Sequence, residues 1–128
     1  MAKRIFIVDD NKIVRQFVRT HLENQLPEVF CLEASNGLDA VKRAGELDPD
    51  VIILDFSMPG LNGMQAAAVL HEILPDVPII LYTFHKDALS GARAKAAGIR
   101  AVVSKTDPIG VLLGEVQSLA RIARSASA

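Results

Sequence analysis

The sequence is poor in several features that would mark a function at once. It has a single cysteine, Cys31, in 128 residues. That thiol falls inside the apolar stretch Val29 to Leu32, which predicts a buried structural side chain rather than a reactive or metal-bound one, and suits a reducing cytoplasm. Charge of neither sign dominates, with 14 Lys and Arg against 15 Asp and Glu. No basic run or face appears, so neither nucleic acid nor an anionic membrane is an expected contact of this domain. Long apolar runs are also missing. Lys3 and Arg4 precede a stretch only a strand in length that meets two aspartates, so no signal peptide or membrane span is expected, and the protein should stay in the cytoplasm. The three histidines, His21, His71 and His85, lack Cys or His partners at zinc spacing and read as surface or loop residues.

What the chain does have is core. Half of its residues are apolar, ample for one compact domain of this length. Short β-branched runs alternate with stretches of helical period, the pattern of repeated βα units on a mainly parallel sheet. Five units are expected. The first helix starts after Asn11, carries Ile13, Val14, Phe17, Val18 and Leu22 on one stripe, and stops before Pro27. A strand over Val29 to Leu32 leads through Ser35, Asn36 and Gly37 to a helix near Leu38 to Leu47, closed by Asp48 and Pro49. Val51 to Leu54 has no alternation, as expected of a central strand covered on both faces. The third helix runs to about Leu74, a fourth strand spans Ile79 to Tyr82, and an alanine-rich helix near Asp87 to Ala97 ends at Gly98, a C-cap residue. Asp107 and Pro108 mark the last helix start as N-cap and first-turn proline.

Three of the apolar runs end in charge. Ile5 to Val8 meets Asp9 and Asp10, Val51 to Leu54 meets Asp55, and Ala101 to Ser104 meets Lys105. The fourth strand ends at Thr83. In a parallel sheet the carboxyl ends of the strands share one edge, where ligands bind, so these residues converge. Three carboxylates in one pocket repel unless a cation joins them, and an oxygen-rich site of few protein ligands suits a hydrated Mg²⁺. The segment Phe56 to Gly63 is rich in turn formers and reads as a loop over that pocket.

This ordered set resembles the receiver domain of two-component response regulators, and the resemblance covers the whole chain. Asp9 and Asp10 match the acidic pair, Asp55 with Met58, Pro59 and Gly63 the phosphoacceptor motif, Thr83 the hydroxyl switch and Lys105 the pocket lysine. The resemblance implies an α/β, flavodoxin-like (βα)5 doubly wound parallel sheet in a single domain, with the strand order 2-1-3-4-5 known for a chemotaxis member of that family. It implies a receiver over residues 1–124, with 125–128 a tail or linker stub. It implies that Asp55 accepts a phosphoryl group from a sensor histidine kinase or a histidine phosphotransfer protein. Mg²⁺ would be held by Asp10, Asp55 and the backbone carbonyl of Ser57, with Asp9 acting through water. Lys105 would pair with a phosphoryl oxygen, and the Thr83 hydroxyl would swing inward to bond another.

Three positions depart from the family pattern. Val102 stands where many receivers carry an aromatic that moves with the hydroxyl switch. Phe84 follows Thr83 where a small residue is usual, bulky enough to crowd the route to the phosphoryl group. Thr106 follows Lys105 where many members have proline, an ending shared with receivers of the DNA-binding subgroup, so the receiver portion of a longer transcription factor is the alternative to a stand-alone regulator. Two rival chemistries fit less well. A flavin domain of similar fold needs a phosphate loop where Asp9 and Asp10 would repel phosphate. An aspartyl phosphohydrolase has a second aspartate two residues after its nucleophile, where this chain has Ser57, so slow self-dephosphorylation rather than enzymatic turnover is expected. In the last helix Leu112, Val116, Leu119 and Ala120 lie at core spacing, while Val111, Leu113 and Ile122 fall outside it. That surplus would suit a protein partner or a homodimer.

Overall fold

The computed structural model describes residues 2–85 and 91–122. Its elements are β1 (Lys3–Val8), α1 (Lys12–Gln25), β2 (Val29–Ala34), α2 (Gly37–Leu47), β3 (Val51–Leu54), α3 (Gly63–Ile73), β4 (Ile79–Thr83), α4 (Gly91–Ala96), β5 (Ile99–Ser104) and α5 (Ile109–Leu119). All neighbouring strands pair in parallel, in the order β2-β1-β3-β4-β5. This is the doubly wound topology expected above.

Side chains that alternate along the strands build two cores, one on each face of the sheet. Ile5, Ile7, Ile53, Ile80 and Tyr82 face one way and meet Val18 and Leu22 of α1 and Leu112 and Val116 of α5. Phe6, Val8, Ile52, Leu54 and Leu81 face the other way and meet Ala40, Ala44, Ala66, Ala67 and Leu70 of α2 and α3. The small residues of α2 and α3 let those helices lie close to the sheet. β3 is buried at all four positions. Each such Ile or Leu contributes about 1.5–3 kcal/mol by leaving water, so the centre of the sheet is the most firmly held part of the fold.

Helix starts follow their caps. The Asn11 side chain accepts from the backbone N–H groups of Ile13 and Val14, and Asn62 forms a reciprocal capping box with Gln65, satisfying donors that a first turn leaves unpaired. Asp48 closes α2 in the left-handed region at φ 47°.

Several expectations need correcting. The apolar stripe of α1 is wider than the face the sheet covers: Val18 and Leu22 are buried, but Ile13 and Phe17 are exposed. The second strand continues through Glu33 to Ala34, because its partner β1 runs on to Val8 in register. The fifth begins at Ile99, two residues before Ala101. Asp107 does not cap α5; Pro108 occupies the cap position without a side-chain bond, and the Asp107 carboxylate instead accepts from the Ser104 backbone N–H at 3.3 Å. The surplus apolar surface of α5 largely disappears, since Ile122 is buried and Leu113 packs on the α1/α5 core, leaving Val111 exposed. No face for a homodimer remains to be argued from those residues. Val102 is half-buried against the α2/α3 core. The expected start of the fourth helix at Asp87 and the proposed tail at 125–128 lie outside the described residues. No helix among those described is long and apolar enough to cross a membrane.

His71 is not the plain surface residue expected of it. Gly98 follows α4 at φ +82°, and a Cβ built on it would stand 2.5 Å from the His71 ring. The ring therefore fills the space that a side chain would take, and its Nδ1 is buried without a hydrogen-bond partner. Gly98→Ala should thus be destabilising twice over, by about 1–2 kcal/mol for the left-handed backbone and again for the overlap. In a His71→Ala background the second part should vanish and the first persist. Urea titration of the two single variants and the double variant measures this; equal costs in both backgrounds would remove the contact from the explanation.

Candidate functional site

The register brings the strand ends level. Val8 pairs with Leu54 and Leu54 with Leu81, and Thr83 pairs with Ser104. The ladder continues one step beyond the strands: Asp55 N–H donates to the Val8 carbonyl at 2.9 Å, and Lys105 N–H to that of Thr83 at 2.8 Å. Asp9, Asp55, Thr83 and Lys105 are thereby fixed by backbone before their side chains interact.

Three of those side chains, Asp9, Asp55 and Lys105, meet. Lys105 Nζ lies 2.8 Å from Asp9 Oδ2 and 3.2 Å from Asp55 Oδ1, and all three groups are nearly shut off from water. Carboxylate oxygens of Asp9, Asp10 and Asp55 lie within 4.8 Å of one another, with Asp10 on the exposed side. One ammonium cannot neutralise three carboxylates, so the pocket retains negative charge. Burial pushes the Asp55 carboxyl above the ordinary aspartate range and the Asp9 charge pushes the same way, while Lys105 and a backbone hydrogen bond from Ser57 pull only partly back. Burial alone would lower the Lys105 pKa, but hydrogen bonding and charge from Asp9 and Asp55 outweigh it, so the pKa is raised and the amine stays protonated. An all-oxygen donor set, partly open and short of positive charge, fits a hard divalent cation that keeps some of its water.

The loop after Asp55 is held by close backbone approach. Gly63 N–H donates to the Phe56 carbonyl at 2.8 Å, and a Cβ on Gly63 would fall 2.5 Å from the Asp55 carbonyl oxygen. Only glycine fits there. Met58 anchors the same loop in the α2/α3 core, and Gly60 turns it at φ +78°. The Thr83 hydroxyl, fully buried, accepts from His85 N–H at 3.0 Å. Phe84 is exposed, with its ring centroid 5.3 Å from Lys105 Nζ.

Sequence reasoning missed Arg15. Its Nη1 donates to the Asp9 backbone carbonyl at 2.6 Å and its Nε to Glu33 Oε1 at 3.0 Å, while Arg19 Nη1 bonds Glu33 Oε2 at 2.7 Å. The acidic loop is thereby tied to the edge strand. The available signal was Glu33, a charge beside the apolar run of β2, with two arginines one helical turn apart on α1. Cys31 is buried and its thiol is pushed up to about 12, chiefly by burial, so it is inert as expected. An open groove of about 770 Å³ lies at the amino ends of β1 and β2, where Arg4 is already bonded to Asp50 and to the Leu47 carbonyl. It holds none of the residues above.

Comparison with known proteins gives a consistent picture. Residues 5–117 match the response regulator receiver domain family. The chain is 36% identical over 101 residues to the response regulator UvrY of Escherichia coli, covering 79% of this chain and 46% of that one. It is 29% identical over 106 residues to the response regulator protein VraR of Staphylococcus epidermidis, covering 83% of this chain and 51% of that one. The chain thus spans about half the length of these relatives. Among solved structures, TrrA of Thermotoga maritima in complex with Mg²⁺-BeF superposes with a TM-score of 0.83 at 29% identity, over 91% of this chain and 98% of that one. A LuxR-family two-component response regulator from Aurantimonas gives 0.86 at 25% identity, over 94% and 86%.

The Arg15–Glu33–Arg19 bridge should make stability depend on pH. Burial raises the Glu33 carboxyl, but hydrogen bonds from Arg19 and Arg15 more than reverse this, so its folded pKa is lowered. The stabilisation is therefore present above the unfolded glutamate pKa and is lost as pH falls through the lower folded value. Wild type should melt above Glu33→Gln at pH 7, by an amount reflecting up to about 1 kcal/mol for a partly exposed bridge, and the gap should close toward pH 3. A gap independent of pH in thermal melts would assign the effect to something other than this carboxylate.

Proposed function

The chain belongs to the response regulator receiver domain family, and from that premise we propose that it takes a phosphoryl group onto Asp55 and so switches an output partner or domain. The donor is a phosphohistidine on a sensor histidine kinase or a histidine phosphotransfer protein. The observation that carries this reading is the Lys105 bridge, 2.8 Å to Asp9 and 3.2 Å to Asp55. It sets a cation beside a carboxylate whose raised pKa and central position suit a nucleophile better than a structural ion pair.

In the proposed transfer an Asp55 carboxylate oxygen attacks phosphorus. The P–N bond of the phosphohistidine breaks, its electron pair remains on the imidazole, and that ring takes up a proton as the acyl phosphate forms. Asp10, Asp55 and the Ser57 backbone carbonyl, with Asp9 through water, would hold Mg²⁺, which when bound neutralises charge on the phosphoryl oxygens. Support for that assignment is the acidic cluster itself and its fit to a hard cation. Lys105 exchanges a carboxylate for a phosphoryl oxygen as its partner. The Thr83 hydroxyl accepts from His85 in the resting structure, which leaves its own proton to donate to a second phosphoryl oxygen. Ser57 supplies no carboxyl group to activate water, so the acyl phosphate is lost slowly and the protein acts as a switch rather than an enzyme.

The alternative is that the receiver is one portion of a longer DNA-binding regulator. UvrY and VraR are each about twice as long as the part this chain matches, and the full reading frame decides between the two readings.

With Mg²⁺ and acetyl phosphate, wild type should gain one phosphoryl group by intact mass, and Asp55→Asn none. Lys105→Ala should label about a hundredfold more slowly, the cost of removing one charge from a developing transition state. Chelation of the metal should suppress labelling of the wild type as well. Equal labelling of Asp55→Asn would falsify the assignment.

A further inference from the structure

Lys105 is a buried ammonium beneath an open rim. Its side chain is only 7% exposed, whereas the residue over it, Phe84, is 63% exposed. Tyr82, in β4, and Phe84, just past its end, flank Thr83. Both rings approach the ammonium, with centroids 6.0 and 5.3 Å from Nζ. On the inner side Nζ meets Asp9 and Asp55. The ammonium is therefore enclosed by two carboxylates and two aromatic faces.

We propose that Phe84 is a positioning residue for Lys105: its ring takes the place of water on the outer side of the ammonium and holds it toward the Asp55 carboxylate. This rests on the reading of Asp55 as phosphoacceptor and Lys105 as the phosphoryl partner. The physical basis is the attraction of a cation to the negative face of an aromatic ring, which grows as the cation is desolvated. A ring suits this place better than a third acid would. It stabilises the ammonium without adding another negative charge to repel an anionic donor, and it does not compete as a hydrogen-bond acceptor with the incoming phosphoryl oxygen. The turn closed by the His85 N–H to Thr83 Oγ1 bond fixes the backbone on which Phe84 stands. The bulk that marked Phe84 as an obstacle in the sequence is thus put to use in holding a charge.

Bulk and ring can be separated with Phe84→Leu, apolar and large but without a π face, and Phe84→Tyr, which keeps the face. Acylation of the resting protein by limiting acetic anhydride, read lysine by lysine by mass spectrometry, reports how closely each amine is covered by its neighbours. The exposed Lys12 and Lys42 serve as references within the same sample. Relative to them, Lys105 should react about fivefold faster in Phe84→Leu and within about twofold of wild type in Phe84→Tyr, the ratio expected of a partly desolvated cation–π contact. The Asp55 labelling rate at saturating acetyl phosphate and Mg²⁺ should fall in Phe84→Leu and recover in Phe84→Tyr. Unchanged Lys105 acylation in Phe84→Leu overturns the proposal, and faster Asp55 labelling alongside it makes Phe84 a steric gate instead. Should wild type itself fail to take a phosphoryl group, the phosphoacceptor reading falls, while the acylation ratio still reports the hold of the ring on the ammonium.

Discussion

The contact between one ammonium and two carboxylates governs this molecule. Lys105, Asp9 and Asp55 come from three different strands, and the Lys105 to Asp55 bond spans 50 positions of sequence. Charges so well hidden from water are costly unless paired, and removing one partner of such a group leaves the others uncompensated at about 3–5 kcal/mol. The arrangement is also deliberately incomplete, since one positive charge faces three negative ones. That imbalance makes the pocket receptive to a cation, and the Asp9 charge adds to the burial that raises the Asp55 pKa.

The rest of the fold supplies the rigidity that such a contact requires. Two cores grip the sheet from opposite faces, so the strand ends cannot shift independently. The loops above them are fixed by small, specific means: Gly63 against the Asp55 carbonyl, Met58 in the α2/α3 core, and Arg15 on the Asp9 carbonyl. By contrast, the rim carries exposed residues, Asp10 and Phe84 among them. The pocket thus has a firm floor beneath a more open rim.

Much of this was legible in the sequence because the strongest signals are local. An apolar run that stops at a charge marks both a strand and where it ends, and Asn11 marks a helix start. Asp9, Asp55, Thr83 and Lys105 were therefore legible as residues at strand ends without coordinates, and the structure brings Asp9, Asp55 and Lys105 into contact. What escaped depends on neighbours distant in sequence. The α1 stripe includes Ile13 and Phe17, which are exposed, because periodicity tells which residues share a face but not how wide a face the sheet covers. Leu113 was read as surplus for the same reason. Asp107 had the chemistry of a cap but bonded Ser104, a choice between two local turns that composition does not decide. Arg15 joins the site only because Glu33 lies across from it on β2, and His71 is half-buried because Gly98 leaves it room.

The continuation of the ladder past the strand ends has a consequence for motion. The amide of Asp9 is bonded to β2, that of Asp55 to β1 and that of Lys105 to β4, so three residues of the pocket are rungs of the sheet itself. Opening the pocket from below would mean breaking those rungs, and with them the cooperative unit that holds the domain together; local unfolding is confined to elements with fewer such ties. The floor of the site thus shares the lifetime of the native state. Movement at the site is therefore left to side chains and the rim, with the sheet as a fixed frame against which small displacements are measured.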